Sequence, residues 1–122
     1  MAESDFISVH LHFTQKNQHI IDDRRIKLMK PTACIINVAR GELIDEEALY
    51  LALLDGRIGG AGIDAFVQEL PDPTRPVYLL SYACVTPNTV SSTDGTSRKR
   101  AQFATENLDS YARGETVLSL VF

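Results

Sequence analysis

The sequence predicts an α/β fold in which parallel strands alternate with helices. The continuous apolar run from Ala33 to Val38 is typical of a strand covered on both faces, as in a parallel sheet. Other short apolar runs alternate along the chain with segments that have helical spacing or helix caps. The segment from Thr93 to Ala112 is predicted to be a long helix, because small and apolar residues recur along one stripe. We therefore expect about four strands with flanking helices, joined by right-handed crossovers.

The first half of the chain contains two predicted strands around one helix. A β-rich run over Phe6 to Leu11 is followed by a polar loop over Thr14 to Gln18. Asp22 to Met29 is predicted to be a helix, which Lys30-Pro31 terminates because proline disfavours helical backbone before it. The apolar run from Ala33 to Val38 then forms the second strand.

The second half continues the alternation. Asp45 is a suitable N-cap, and the acidic residues that follow it suit the positive end of a helix dipole. Asp55-Gly56 is a typical helix end. The predicted segments are a helix over Glu46 to Leu54, a strand over Gly60 to Phe66, a loop over Gln68 to Pro76, a strand over Tyr82 to Thr86 and the helix over Thr93 to Ala112.

Length and composition indicate one ordinary globular domain. The chain has 122 residues, of which 44% are hydrophobic, and its formal net charge of −4 disfavours nucleic acid and anionic membrane as partners. The sequence has no apolar stretch of ~20 residues and no signal-peptide pattern. Cys34 and Cys84 lie in apolar strand-like runs, so we expect both to be buried, reduced thiols in a cytoplasmic protein. No metal site is expected.

A candidate binding residue stands where the central apolar run ends. In Ile35-Ile36-Asn37-Val38-Ala39-Arg40-Gly41, the arginine follows the predicted strand directly. Open α/β sheets bind ligands at the carboxyl edge of their strands. A guanidinium keeps its charge and binds a carboxylate with two parallel hydrogen bonds. Arg40 therefore indicates a site for a small anion, the alternative being a surface arginine at a strand end.

Six linked motifs run through most of the chain. They are His10-Leu11-His12-Phe13-Thr14, His19-Ile20-Ile21, Leu28 to Ala33, Ile36 to Gly41, Ile44 to Leu49 and Gly62 to Phe66. In this order and spacing they resemble the NAD-binding domain of D-isomer-specific 2-hydroxyacid dehydrogenases. The resemblance implies the C-terminal half of a Rossmann-like doubly wound sheet over residues 1–122, without the Gly-rich phosphate-binding half. It also implies an oxidoreductase that uses NAD or NADP on small 2-hydroxy or 2-keto acids.

The resemblance assigns roles to individual positions. Arg40 matches the arginine that binds the substrate carboxylate and polarises the keto group. Glu69 matches the glutamate that hydrogen-bonds the catalytic histidine, since a carboxylate behind a histidine supports its charged form. Val38 and Ala39 match positions whose backbone lies against the nicotinamide in the family. The other positions that match cofactor-binding residues are Asp64, Asn88 and Ser91.

Two departures from the family pattern bear on catalysis. In Thr86-Pro87-Asn88-Thr89, Asn88 occupies the position of the catalytic histidine. An amide donates hydrogen bonds but no proton near neutral pH, and losing a general acid typically costs ~10²–10⁴-fold in rate. The Gly-x-Gly-x-x-Gly turn that holds the pyrophosphate is also absent from the sequence. We therefore expect the chain to be inactive by itself.

A smaller departure lies in the loop after the first strand. The family usually has proline where this chain has His12, and threonine where it has Asn17. His12 lies two residues from His10, so a replacement acid or a metal-binding pair is conceivable. Histidines that are satisfied or face solvent are the default interpretation.

The predicted first strand leaves an apolar sheet edge. In the family's strand order it pairs with a strand that this sequence does not contain, so Phe6, Ile7, Val9 and Leu11 would be exposed. Such an edge favours pairing with a second copy, and we expect a homodimer or other self-association. Two alternatives to an inactive dehydrogenase piece remain: a non-catalytic binding or regulatory module that pairs with a full-length dehydrogenase, and an active enzyme assembled from two chains.

Overall fold

A computed structural model describes residues 1–68, 74–89 and 93–118 of the chain. By its internal contacts the chain divides into two compact units, residues 1–90 and residues 91–122. The first unit contains the sheet and the second contains the long helix.

The first unit is built around a sheet of four parallel strands, which confirms the predicted α/β fold. The strands lie side by side in the order β1-β2-β3-β4, so each is followed along the chain by its neighbour in the sheet. In the described residues of this unit, α-helix α1 lies between β1 and β2 along the chain, and α-helix α2 lies between β2 and β3. The bounds are β1 Phe6–Val9, α1 Asp23–Ile26, β2 Cys34–Asn37, α2 Glu46–Leu54, β3 Gly60–Ile63 and β4 Ala83–Val85.

The strands and α1 are shorter than predicted, whereas α2 has the predicted bounds. The sheet ends early because the chain turns away from it at the carboxyl edge. The backbone N–H groups of Asp64 and Ala65 both donate to the Asn37 carbonyl oxygen, at 3.0 and 3.3 Å. Helix α1 ends after one turn, where Met29 N–H donates to the Ile26 carbonyl oxygen at 2.9 Å.

The core lies between the sheet and α2. Asp45 begins α2 by accepting a hydrogen bond from the Ala48 N–H at 3.1 Å, as the N-cap prediction requires. One face of α2 is buried, and its residues pack against apolar side chains of the strands and loops. The side chains that are most completely buried are Ile26, Ile35, Leu43, Leu53 and Val77.

Two predictions of burial in the first unit are corrected by the structure. Cys84 is exposed; it lies on β4, which pairs only with β3 among the described residues. Cys34, the first residue of the central strand β2, is only half-buried. On β1, Val9 is buried although it was expected to lie on a bare edge, because the strand pleat turns it towards the core. Phe6 and Leu11 are 72% and 48% exposed, as expected for that edge.

The second unit contains helix α3, Asp94–Ala112. Thr93 caps it by accepting a hydrogen bond from the Thr96 N–H at 3.2 Å. The predicted stripe of Ala101, Ala104, Leu108, Tyr111 and Ala112 is not buried, and Leu108 and Tyr111 are 69% and 77% exposed. Helical spacing predicted the helix correctly, but spacing alone does not determine whether a stripe is covered. Of the helices in the described residues, none combines the length and apolarity needed to cross a membrane.

Candidate functional site

The candidate site lies at the carboxyl edge of the sheet. Because all four strands are parallel, the loops that follow them emerge at the same edge. The predicted site residues in the described part of the chain follow three of these strands. Val38, Ala39 and Arg40 follow β2, Asp64 follows β3, and Asn88 follows β4.

Asn37, the last residue of β2, fixes the loop that carries Arg40. Its side chain is buried, with 3% of its surface exposed. The Asn37 Nδ2 donates to the Arg40 carbonyl oxygen at 2.8 Å, and the Asn37 Oδ1 accepts from the Ala39 N–H at 3.1 Å. A buried amide that is bonded on both sides holds the backbone of the turn in one conformation.

Asp64 ties the exits of three strands together. Its backbone N–H donates to Asn37 at the end of β2. Its buried Oδ1 accepts from the Thr86 hydroxyl at 2.5 Å and from the Thr89 N–H at 2.9 Å, both in the loop after β4. The carboxylate therefore binds the loop after β4 on both sides of Asn88 and helps to fix the position of Asn88. The resemblance led us to expect Asp64 beside the nicotinamide, and these loop contacts were not predicted.

Asn88 occupies the left-handed region of the backbone, with φ of 53°. Asparagine is among the few residues that adopt this conformation at low cost. The Asn88 N–H donates to the Thr86 carbonyl oxygen at 2.9 Å, which closes a tight turn. The hydrogen bond from the Thr89 N–H to Asp64 stabilises this turn. The side chain is exposed at the sheet edge.

Arg40 and Asn88 line the same cleft. Its volume is about 110 Å³, and Ala39, Ala65 and Phe66 complete the lining. The Arg40 side chain is exposed, and its Nη1 donates to the Ala39 carbonyl oxygen at 2.7 Å. The remaining guanidinium N–H groups make no ion pair with a carboxylate in the described residues. This cleft, the arginine–asparagine cleft, combines a fixed positive charge with an amide.

A second cleft lies on the other side of the Val38–Arg40 loop. It has a volume of about 260 Å³ and is lined by His10, Leu11 and His12 from the exit of β1, together with the loop itself. We call it the histidine cleft. Val38 and Ala39 are half-buried between the strand exits, and Ala39 and Arg40 line both clefts.

Glu69 and Ser91, the remaining predicted site residues, lie outside the described residues. The structure therefore brings together Arg40 and Asn88, with Ala39 between the two clefts and Asp64 beneath the loop that carries Asn88. No group of three or more potential metal ligands occurs in the described residues.

Gly41 explains why the turn after Arg40 is so tight. A Cβ at this position would lie 2.1 Å from the Val67 backbone nitrogen and 2.2 Å from the Phe66 carbonyl carbon. Only glycine permits this approach of the β2 loop to the β3 loop. The glycine thereby brings Arg40 close to Phe66, which lines the same cleft.

The resolved pKa shifts in the described residues lie outside the two clefts. Burial raises the pKa of Tyr78, with Glu46 adding to the effect; the ring stacks edge-on against Phe66 at 5.4 Å between centroids. The charge of Glu46 raises the pKa of Arg75, with which it forms an ion pair. Through Tyr78, which contacts both Arg75 and Phe66, this ion pair is linked to the loop after β3.

The residues present fit one end of the dinucleotide that the resemblance implies. Val38 and Ala39 offer half-buried backbone, and the Asn88 amide can bond a neutral polar group such as a carboxamide. The sequence contains seven glycines but no Gly-x-Gly-x-x-Gly turn for a pyrophosphate. The described loops therefore suit the nicotinamide end of the cofactor.

Sequence reasoning missed two residues that position the site, Asn37 and Thr86. A signal existed for Asn37, because a polar residue at the end of an apolar strand must find partners when it is buried. Thr86 was identified only as part of the Thr86-Pro87-Asn88-Thr89 motif. Its bond to Asp64 joins residues far apart in the sequence, so no local pattern revealed it.

Comparisons with known proteins identify the family of the chain. Residues 1–89 match the model of the family described as D-isomer specific 2-hydroxyacid dehydrogenase, NAD binding domain. A glyoxylate reductase of Korarchaeum cryptofilum is 38% identical over 121 residues, which are 99% of this chain and 36% of that protein. The chain thus spans about a third of the length of the curated relatives it matches.

Solved structures show the same fold. D-lactate dehydrogenase from Lactobacillus jensenii, crystallised with NAD⁺, has a TM-score of 0.92 at 27% identity. The match covers 99% of this chain and 40% of the D-lactate dehydrogenase chain. A D-isomer specific 2-hydroxyacid dehydrogenase from Xanthobacter autotrophicus, in complex with NADPH and MES, has a TM-score of 0.82 at 32% identity. The match covers 99% of this chain and 49% of that one.

Proposed function

We propose that the chain holds the nicotinamide and the substrate carboxylate of an NAD(P)-dependent oxidoreductase. The chain belongs to the D-isomer specific 2-hydroxyacid dehydrogenase family and matches the model of its NAD-binding domain. The observation that carries the proposal is the arginine–asparagine cleft, which joins Arg40 to Asn88 at the carboxyl edge of a parallel sheet. The substrate class is a small 2-hydroxy or 2-keto acid.

Each residue has a physical role in this proposal. Arg40 binds the substrate carboxylate, because its guanidinium is always charged and most of its N–H groups are unpaired within the described residues. Asn88 donates a hydrogen bond to the keto oxygen, and Asp64 holds the Asn88 loop. Val38 and Ala39 support the nicotinamide ring, which supplies the hydride when it is bound. Glu69 and Ser91 remain proposed site residues on the resemblance alone.

The chain alone is proposed to bind without turnover. Asn88 cannot deliver the proton that the keto oxygen needs, and this loss is worth ~10²–10⁴-fold in rate. The same observation favours a second candidate function, a non-catalytic module that pairs with a full-length dehydrogenase. If the chain lacks only its proton donor, a donor at position 88 should produce catalysis. If the chain is a non-catalytic module, it should not.

The binding part is tested by titrating NADH with the purified chain. The chain has no tryptophan, so the emission of the nicotinamide is read directly. We expect a saturable enhancement, further changed by glyoxylate in the wild type and not in Arg40→Met. Emission that stays linear up to millimolar NADH contradicts the proposal.

The catalytic part is tested by NADH-dependent reduction of glyoxylate at saturating NADH. We expect no turnover in the wild type and a measurable rate in Asn88→His, since the imidazole supplies the missing general acid. Asn88→Gln is the matched control and should stay inactive. Equal inactivity of all three with intact NADH binding favours the non-catalytic module, and turnover by the wild type shows another proton donor.

We further propose self-association through β1 and a cytoplasmic location. In the described residues, β1 pairs on one side only, and the ring of Phe6 is exposed along that edge. Sedimentation equilibrium should therefore show a dimer that Phe6→Lys weakens, whereas a monomer at high concentration contradicts it. The unpaired thiols of Cys34 and Cys84 suit a reducing compartment.

A further inference from the structure

Helix α3 has an apolar face that the described residues of the second unit leave exposed. Four small and apolar residues recur at helical spacing and share one side of the helix: Ala101, Ala104, Leu108 and Tyr111, which we call the α3 stripe. All four are exposed, and no described residue of α3 is buried. An apolar face bordered by polar residues is typical of an interaction surface.

The chain that follows α3 folds back beside the stripe without covering it. The Leu118 N–H donates to the Asn107 Oδ1 at 2.8 Å, and Asn107 is half-buried. Asn107 directly precedes Leu108, so the two side chains leave the helix about 100° apart. The returning segment therefore lies on a neighbouring side of α3, and Leu108 and Tyr111 stay exposed.

Residues of opposite charge flank the stripe towards its two ends. Arg98 and Asp109 are eleven residues apart in the sequence, so their side chains leave the helix in directions about 20° apart and about three turns from each other. Both are exposed, and neither forms an ion pair with another residue that the structure describes. The same flank of the stripe therefore has a positive end and a negative end.

This charge pattern suits two copies of α3 that lie antiparallel. Arg98 of one copy then lies opposite Asp109 of the other, and the two-fold symmetry of the pair repeats this contact. In the same alignment Leu108 packs against Ala101 of the other copy, so a large side chain meets a small one. A parallel pair would instead place arginine opposite arginine and aspartate opposite aspartate, which like-charge repulsion disfavours.

The other charged residues of the helix agree with this alignment. It places Arg100 opposite Asn107, a neutral residue. It also places Asp94, the first residue of α3, opposite Arg113, the residue that caps its end. No two like charges of α3 stand opposite each other in this alignment. The charge pattern therefore favours a second copy of the chain over a partner that is uniformly acidic or uniformly basic.

We propose that two copies of this chain associate through antiparallel α3 stripes, with Leu108 packed on Ala101 and an Arg98–Asp109 ion pair at each end. This surface goes beyond the proposed function, and it belongs to the second unit, whereas β1 belongs to the first. Two helices of 19 residues, each ~28 Å long, bury less area than the ~1,600 Å² of a standard stable interface. The association is therefore weak and reversible, with a Kd on the order of 0.1 mM.

The test is sedimentation equilibrium of the full chain with the Phe6→Lys substitution, which disfavours pairing along β1. We expect a dimer whose fraction rises between about 10 µM and about 1 mM. Arg98→Glu should weaken the association about tenfold or more, because it turns both ion pairs into like-charge contacts. Asp109→Arg should do the same, and the double variant Arg98→Glu/Asp109→Arg should restore the dimer.

Two further variants separate the stripe from the rest of the helix. Lys99→Glu is the matched control, because it makes the same change of charge on the side of α3 opposite the stripe, and it should leave the association unchanged. Leu108→Gln should weaken the association and leave the free energy of unfolding of the dilute chain unchanged, since the side chain is exposed in the single copy.

The proposal is overturned if the Phe6→Lys chain stays monomeric at about 1 mM, if the double variant does not recover the dimer, or if Lys99→Glu weakens it equally. A fall in the free energy of unfolding of dilute Leu108→Gln indicates that the stripe is covered within the chain, and this also overturns the proposal. No nicotinamide or acid is present in the experiment, so its outcome is independent of the proposed binding function.

Discussion

Buried and exposed polar residues of the same loops differ in their hydrogen bonding. Asn37 and Asp64 are 3% and 4% exposed, and both bond the backbone of the loops at the strand exits. Arg40 and Asn88 stand on those loops and are exposed. The buried pair holds the loops in shape, and we propose that the exposed pair contacts the ligand. Changes to the first group should therefore cost stability, whereas changes to the second should cost binding.

The largest effect is expected for Gly41→Ala. The added Cβ would overlap backbone atoms of Phe66 and Val67, which cannot move aside as a flexible side chain would. We expect the free energy of unfolding to fall by about 3 kcal/mol or more, measured by urea denaturation. Gly95→Ala is the matched control, because nothing lies within 4 Å of a Cβ there, and it should not destabilise the protein. Equal effects of the two substitutions would contradict the close approach at Gly41.

The next effect is expected for Asp64→Ala. The Thr86 hydroxyl and the Thr89 N–H would lose the buried oxygen that accepts from them. We expect a loss of about 2–3 kcal/mol in the free energy of unfolding, together with weaker NADH binding as the Asn88 loop loosens. Asp55→Ala, which removes an exposed carboxylate, should change stability by less than about 0.5 kcal/mol. A similar loss in the free energy of unfolding for the two variants would contradict the stabilising role of Asp64.

Arg40→Met should have little effect on stability and a larger effect on binding. The guanidinium forms no ion pair in the described residues, so the free energy of unfolding should change by no more than about 0.5 kcal/mol. Binding of oxalate should weaken about tenfold or more, because the charge that holds the carboxylate is lost. Calorimetric titration and urea denaturation of the same preparation provide both values. A large loss of stability with unchanged oxalate affinity would reverse the assigned role.

The smallest effect concerns Asp23, far from the site. Hydrogen bonds from Lys27, and then from Arg57, lower the pKa of its carboxyl group below the ordinary value. A carboxyl group whose pKa is lower in the folded state contributes stability above its unfolded pKa and loses it as pH falls through its folded pKa. Asp23→Asn should therefore be slightly less stable than wild type at neutral pH and equal to it in strong acid. Urea denaturation across this range measures the difference, which should also shrink in Lys27→Gln; a difference independent of pH contradicts the assignment.

The sequence predicted the fold more completely than the residues that position the candidate site. The β2 and α2 elements follow from an apolar run and from an N-cap followed by acids, which are local signals. The exposure of Leu108, by contrast, depends on what covers α3, and the spacing of its stripe contains no such information.

The site shows the same division. Arg40 was proposed as a site residue because it follows a predicted strand, whereas the bonds from Thr86 and Thr89 to Asp64 join residues distant in the sequence. Likewise, the bond from Asn17 to His12 connects two departures that had no evident relation in the sequence. Long-range hydrogen bonds become visible only when the strands are placed side by side.

We propose that the loops at the carboxyl edge of the sheet hold a reduced nicotinamide. The most direct measurement is an NMR titration of the chain with reduced nicotinamide mononucleotide, which carries the nicotinamide without the adenosine half. We expect saturable shifts in the amide signals of Val38 to Arg40, Asp64 and Asn88, and smaller shifts in Asp64→Ala. No saturable shift up to about 10 mM, or shifts confined to residues away from these loops, would contradict it.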